Sequence, residues 1–272
     1  MPGANERALE KAKTLPVDAL IHDLEDAVAP DAKVAARERV CAAVGSYGSR
    51  EVTIRVNGLG TPWHADDLRA AGEAGPDAVV VPKVNSASDV HAIEKALSHA
   101  PDHTAIWAMI ETPVAVLDCR SIAAASDRLT VLVLGTNDLA KELLAAQVPG
   151  RAPLLGALST CVLAARATGR VILDGVYNDV RDLEGFAAEC RQGRDFGFDG
   201  KTLIHPGQVE PCNEVFAPSA DEVAHAHRVI EAFEEAKNAG RGVATVDGRM
   251  VENLHVADAQ RILALAEAVK GA

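Results

Sequence analysis

Leu129-Thr130-Val131-Leu132-Val133-Leu134-Gly135-Thr136-Asn137-Asp138 decides how this chain is read. The first six residues are almost wholly apolar and rich in Val and Leu. A run so short suits a strand covered on both faces better than a buried helix. Gly135 ends the run, and a carboxylate, Asp138, stands just beyond it. Similar runs occur at residues 19–22, 52–56, 78–81, 105–110, 171–173 and 202–204. Between them, residues 31–44, 66–74, 86–99, 114–125, 153–168 and 180–196 carry apolar side chains at helical spacing. Alternation of this kind predicts an α/β fold with parallel strands. The count is seven strands, whereas a closed (β/α)₈ TIM barrel needs eight. A helix at residues 5–15 precedes every strand. The expectation is therefore either an open sheet or a barrel whose first strand lies mostly outside this chain.

Charge narrows the function. Among 272 residues, Lys and Arg number 27 and Asp and Glu 39, a net charge of −12. Such a surface repels nucleic-acid phosphates and anionic lipid, and aromatics at 3% leave little for base stacking. No apolar run approaches the ~20 residues of a membrane span, and residues 1–7 lack the apolar centre of a signal peptide. Cys41, Cys119, Cys161, Cys190 and Cys212 are scattered and odd in number. They read as reduced thiols of a cytoplasmic protein, without a disulfide frame or zinc site.

After residue 204 the alternation stops. Residues 219–240 read as a long polar helix, with Ser219 and Glu222 spaced as a capping box. Residues 242–250 read as a hairpin turning at Asp247-Gly248, and residues 256–269 as a last amphipathic helix. The expected division is a barrel domain over 1–217 and a helix-hairpin-helix extension over 218–272, packed on a neighbouring subunit.

In a parallel barrel, chemistry sits where the strands end. The residues there are His22-Asp23-Leu24-Glu25-Asp26, Arg55 with Asn57-Gly58, Pro82-Lys83, Glu111-Thr112-Pro113, Gly135 to Asp138, Asp174 with Tyr177-Asn178, and His205-Pro206. Several carboxylates at one mouth repel each other unless a cation lies among them. Oxygen donors without nearby cysteine favour Mg²⁺ over zinc. Glu111 and Asp138 are the cleanest ligand pair, and the planar fork of Arg55 suits a substrate carboxylate. Other features carry less. Gly200-Lys201-Thr202 lacks the earlier glycine of a phosphate loop, and Gly58-Leu59-Gly60 lacks the rest of a dinucleotide fingerprint. No G-x-S-x-G elbow occurs. His225 and His227 point to different helix faces and read as solvated; Trp63 and Trp107 read as packing residues.

Seven segments in order resemble one family. They are His22-Asp23-Leu24-Glu25-Asp26-Ala27-Val28, Ile54-Arg55-Val56-Asn57, Val81-Pro82-Lys83, Ile110-Glu111-Thr112, Gly135-Thr136-Asn137-Asp138-Leu139, the stretch from Gly200 to Gln208, and Asp247-Gly248-Arg249-Met250-Val251-Glu252-Asn253. They are similar to the citrate lyase beta subunit and malyl-CoA lyase group of the HpcH/HpaI aldolase superfamily. The resemblance implies a (β/α)₈ barrel, a homotrimer or hexamer, and Mg²⁺-dependent making or breaking of a C–C bond between a CoA thioester and a small 2-oxo acid. It implies Glu111 and Asp138 as metal ligands and Arg55 on the oxo acid. Glu25 and Asp26 become catalytic carboxylates that hold water, with Pro82, Lys83, Gly135, Thr136 and Asn137 around the substrate. Lys11, Lys13 and Lys83 are candidates for the CoA phosphates. Glu252, reaching in from the adjacent subunit, stands where many relatives have Asp. Family members usually open with a strand ending in Pro-Gly, whereas Pro2-Gly3 opens this chain. The leading expectation is a lyase for malyl-CoA, methylmalyl-type or citramalyl-CoA. The alternatives are a citrate lyase beta subunit acting on citryl-acyl carrier protein, an acyl-CoA thioesterase, or a non-catalytic acyl-CoA-binding protein.

Overall fold

The computed structural model describes residues 1–271. Seven strands form one parallel sheet whose spatial order is the chain order: β1 (Ala19–Asp23), β2 (Glu51–Arg55), β3 (Ala78–Val81), β4 (Ala105–Ile110), β5 (Leu129–Leu134), β6 (Val171–Asp174) and β7 (Gly200–Lys201). The helices are α1 (Glu6–Ala12), α2 (Lys33–Ala43), α3 (His64–Ala74), α4 (Ala87–Ala96), α5 (Pro113–Leu117), α6 (Cys119–Ala123), α7 (Thr136–Glu142), α8 (Leu155–Thr168), α9 (Leu183–Phe196) and α10 (Val209–Phe216). This is a TIM-barrel-type arrangement with seven strands, and β1 and β7 do not pair among the described residues. Along the free edge of β1 runs the start of the chain. Pro2 forms a parallel bridge to Asp23, and the Gly3 N–H donates to the Asp23 carbonyl at 2.8 Å.

Period-two alternation gives the sheet its two faces. Ala19, Ile21, Ala78, Val80, Trp107, Met109, Val131, Val133 and Leu173 meet in one apolar cluster on the inner face. Alternate residues turn toward the helices, as Leu20 does against Ala12 of α1. Full burial of each large side chain contributes about 1.5–3 kcal/mol. Trp107 is only 3% exposed within the inner cluster, which bears out its reading as a packing residue.

Some elements differ from expectation. The last barrel strand is Gly200–Lys201, not 202–204, because pairing with β6 aligns Gly200 with Leu173 and Lys201 with Asp174. The Ile204 and His205 N–H groups then turn to the Gln208 side chain, and Ile204 is half exposed. The helix expected over 114–125 breaks at Asp118 into α5 and α6. α10 was not anticipated.

A compact unit ends at Cys212 and a second begins at Asn213. The second contains α11 (Ala220–Asn238), the antiparallel pair β8 (Ala244–Val246) and β9 (Arg249–Val251), and α12 (Asn253–Gly271). The Ser219–Glu222 capping box forms as anticipated. Asp247 and Gly248 have φ of 50° and 77°, the left-handed pair that a tight hairpin turn needs. Ala226, Val229, Phe233, Ala236, Val246, Val251 and Ala259 give this unit a core of its own. His225 is not simply solvated. Its Nδ1 lies 3.3 Å from Asp247, which also accepts from Arg228 at 3.1 Å.

Candidate active site

On the inner face, the alternation that buries Ala19 and Ile21 brings Asp23 to the end of β1, and Arg55 is its register partner on β2. The two side chains lock together: Nε donates to Oδ1 at 2.6 Å and Nη2 to Oδ2 at 2.7 Å. Asp23 also accepts the Glu25 and Ala27 N–H groups. These donors hold its carboxyl below the usual range even though burial, the largest influence, acts to raise it. One fork of Arg55 is therefore occupied within the chain. Its Nη1 lies 3.1 Å from Glu25 and 3.5 Å from Asp26, so all three guanidinium nitrogens face carboxylates of the β1 loop. Sequence reasoning gives Asp23 no role of its own, although it lies within the segment His22 to Val28.

Glu111 follows Met109 on the same face and is 2% exposed. Burial pushes its carboxyl up to about 7, and Asp138 pushes the same way; the Lys83 N–H, donating to Oε1 at 2.8 Å, opposes them. Gly135 ends β5 beside it, where a Cβ would overlap the Glu111 carboxylate. Gly135 thus makes room for the Glu111 carboxylate. Asp138, in the first turn of α7, is partly exposed and has Lys83 Nζ at 3.5 Å. Lys83 has a left-handed φ of 53°. Glu25 is also pushed up to about 7, chiefly by burial; Arg55 pulls the other way, and Asp26 and Asp23 add to the rise.

The other residues take varied places. Pro82 is buried, and Thr136 is 6% exposed. Asn137 exchanges amide hydrogen bonds with Asn178 at 2.7 and 3.0 Å, tying the loop after β5 to the loop after β6. Asn57 is structural: its amide donates to the Leu24 carbonyl and to Asp67, which also binds Arg37 at 2.6 Å. Lys33 clamps the β1 loop through the Leu24 and Glu25 carbonyls and lies 5.1 Å from the Trp63 ring centre. Two strand-end candidates do not reach the mouth. Asp174 follows inner-facing Leu173, so it turns outward, fully buried against Arg151 at 2.7 Å and Lys201 at 3.0 Å. His22 likewise turns outward and packs on Tyr47 at 4.7 Å between ring centres. Glu252 lies in the second unit, between β9 and α12, and its N–H donates to His255.

The donor set fits a hard divalent cation. Asp23, Glu25, Asp26, Glu111 and Asp138 are five carboxylates set against the two cationic side chains Arg55 and Lys83. Among the described residues no three His, Cys, Asp or Glu side chains converge as a closed ligand cage. A pair of carboxylates leaves the remaining positions to water and substrate oxygens, a coordination that Mg²⁺ accepts and structural zinc does not. No helix among the described residues is long and apolar enough to cross a membrane.

Acids and one arginine gather where the parallel strands end, the place where enzymes of this fold carry their chemistry. The chain belongs to the HpcH/HpaI aldolase/citrate lyase family, whose model matches residues 1–206. The model for C–C bond lyases of the TIM-barrel fold matches residues 153–269. The family is enzymatic. Over 271 residues the chain is 51% identical to a (3S)-malyl-CoA thioesterase of Cereibacter sphaeroides, with 99% of this chain and 93% of the relative covered. It is 37% identical to the citrate lyase subunit beta of Leuconostoc mesenteroides, over 98% of this chain and 92% of the relative. Among solved structures, it is similar to the CitE protein of Mycobacterium tuberculosis in complex with magnesium, acetoacetate and coenzyme A. That likeness has a TM-score of 0.81 and 30% identity, covering 98% of this chain and 96% of the other.

Proposed function

We propose that the protein hydrolyses a 3-hydroxyacyl-CoA thioester of the malyl-CoA type, with Mg²⁺ held by Glu111 and Asp138. The observation that carries this reading is the 51% identity, over nearly the whole chain, to a (3S)-malyl-CoA thioesterase. The magnesium, acetoacetate and coenzyme A of the Mycobacterium tuberculosis relative support the same ligand classes. Bound Mg²⁺ supplies Lewis-acid polarisation of the oxygens it coordinates. Arg55 receives the substrate carboxylate on Nη1 in exchange for its Glu25 and Asp26 contacts, while Asp23 holds the other side of the guanidinium. Glu25, with a pKa of about 7, takes a proton from water as the water oxygen bonds to the thioester carbonyl carbon. The C–S bond then breaks, the sulfur leaves with its electron pair, and Glu25 returns the proton to it. Thr136 and Asn137 border this chemistry, and Pro82 and Gly135 shape its walls.

A second reading is favoured by the 37% identity to citrate lyase subunit beta. Here the bond between the hydroxyl-bearing carbon and the thioester α-carbon breaks, giving a 2-oxo acid and an acyl-CoA. Glu252 of an adjacent subunit in a homotrimer or hexamer would protonate the α-carbon. The test is purified protein with Mg²⁺ and malyl-CoA, following malate, free CoA, glyoxylate and acetyl-CoA separately. Malate and CoA in equal amounts are expected. Glyoxylate with acetyl-CoA would establish the lyase instead, and no turnover would sink both readings.

A further inference from the structure

Lys83 touches both proposed metal ligands through different parts of itself. Its backbone N–H donates to Glu111 Oε1 at 2.8 Å, and its ammonium lies 3.5 Å from Asp138 Oδ1. The φ of 53° is unfavourable for a residue with a side chain. A left-handed residue at the strand end needs an offsetting gain, and the bond to buried Glu111 is one. Glycine would adopt this backbone without strain, yet the position carries a cation. That cation stands on the open side of the pair: the Lys83 side chain is 44% exposed, Asp138 29%, and Glu111 2%. The ammonium can therefore leave along its flexible stem while the backbone bond stays in place.

We infer that Lys83 is a built-in competitor for the cation site, its ammonium and a divalent ion contending for Asp138 while its N–H keeps Glu111 aimed. This rests on the reading that Glu111 and Asp138 hold the metal. A positive charge this close opposes a divalent ion directly. Lys83 would thereby lower affinity for the metal alone, and its released ammonium would be free to meet an anionic substrate arriving with the ion.

The test is Mn²⁺ binding followed by electron paramagnetic resonance, without substrate, on the full-length protein. Lys83→Met should bind Mn²⁺ about tenfold more tightly than the unmodified protein, with the gain shrinking as salt rises. Lys83→Gly keeps the N–H, relieves the backbone and should tighten binding as well, so a fold defect in one variant cannot imitate the effect. Lys83→Arg should stay near the starting affinity. Unchanged or weaker binding in both Lys83→Met and Lys83→Gly would overturn the inference while leaving the metal reading intact, provided Asp138→Asn abolishes binding. If Asp138→Asn binds as well as the unmodified protein, the metal reading falls and the inference with it.

Discussion

The carboxylate of Glu111 sits where two structural requirements meet: a backbone donor on one side and a missing side chain on the other. Gly135→Ala should therefore displace it and lower kcat/KM by about a hundredfold, the scale of a misplaced catalytic group. Thermal unfolding of the variant, measured beside its kinetics, should move by only a few degrees. Glu25 makes a second prediction. As a base with a pKa of about 7, it is active when deprotonated, so hydrolysis should rise with pH through neutrality and level off above it. Glu25→Gln should remove that limb and lower kcat by about 10²–10⁴; a pH profile settles the point. Arg55, Glu111 and Asp138 could be picked out in the sequence because each stands at or within four residues of the end of an apolar run. The lock between Asp23 and Arg55 was not legible, because it depends on the register of two strands separated by 27 intervening residues.

At the scale of elements, parity separates site residues from structural ones. Met109 leads to Glu111 in steps of two, and Ile21 leads to Asp23, whereas His22 and Asp174 fall on the opposite face. Closeness to a strand end does not carry this parity, so the sequence alone places Asp174 at the mouth. Asp174 instead sits under α9 in a network with Arg151, Lys201 and Glu189. Asp174→Asn would leave two buried cations short of charge and should cost about 3–5 kcal/mol in urea unfolding. His22 is fully buried, neither ring nitrogen has a hydrogen-bond partner among the described residues, and burial lowers its pKa to about 4. The unfolded chain takes up a proton there below an ordinary value near 6.5, while the folded chain does not until about 4. Stability present at neutral pH is therefore lost as the pH falls from about 6.5 to about 4, by roughly 3 kcal/mol for this group. His22→Leu should flatten that slope, with urea midpoints at pH 5 and pH 7 as the check; an unchanged slope would refute it. Strand existence was readable from apolar runs, but the ends were not: Ile204 belongs to an apolar run, yet β7 stops at Lys201 because its partner strand stops at Asp174.

At the scale of the molecule, the second reading makes a prediction that concerns assembly. If Glu252 works in a neighbour's site, Glu252→Gln and Glu111→Ala proteins, each inactive alone, should recover C–C cleavage when unfolded and refolded together. Recovery absent from every mixing ratio would confine the chemistry to one chain. The seven-strand sheet has another consequence, one that concerns synthesis. Every strand lies beside the one made immediately before it, and β1 to β7 all precede the second compact unit. On the ribosome, each emerging strand finds its partner already formed, and no strand waits for a distant segment to complete a pair. Chains made from the N-terminus at about 5–20 residues per second can therefore add strand upon strand during elongation. Loop-closure costs stay local, and the growing edge moves along with each new strand.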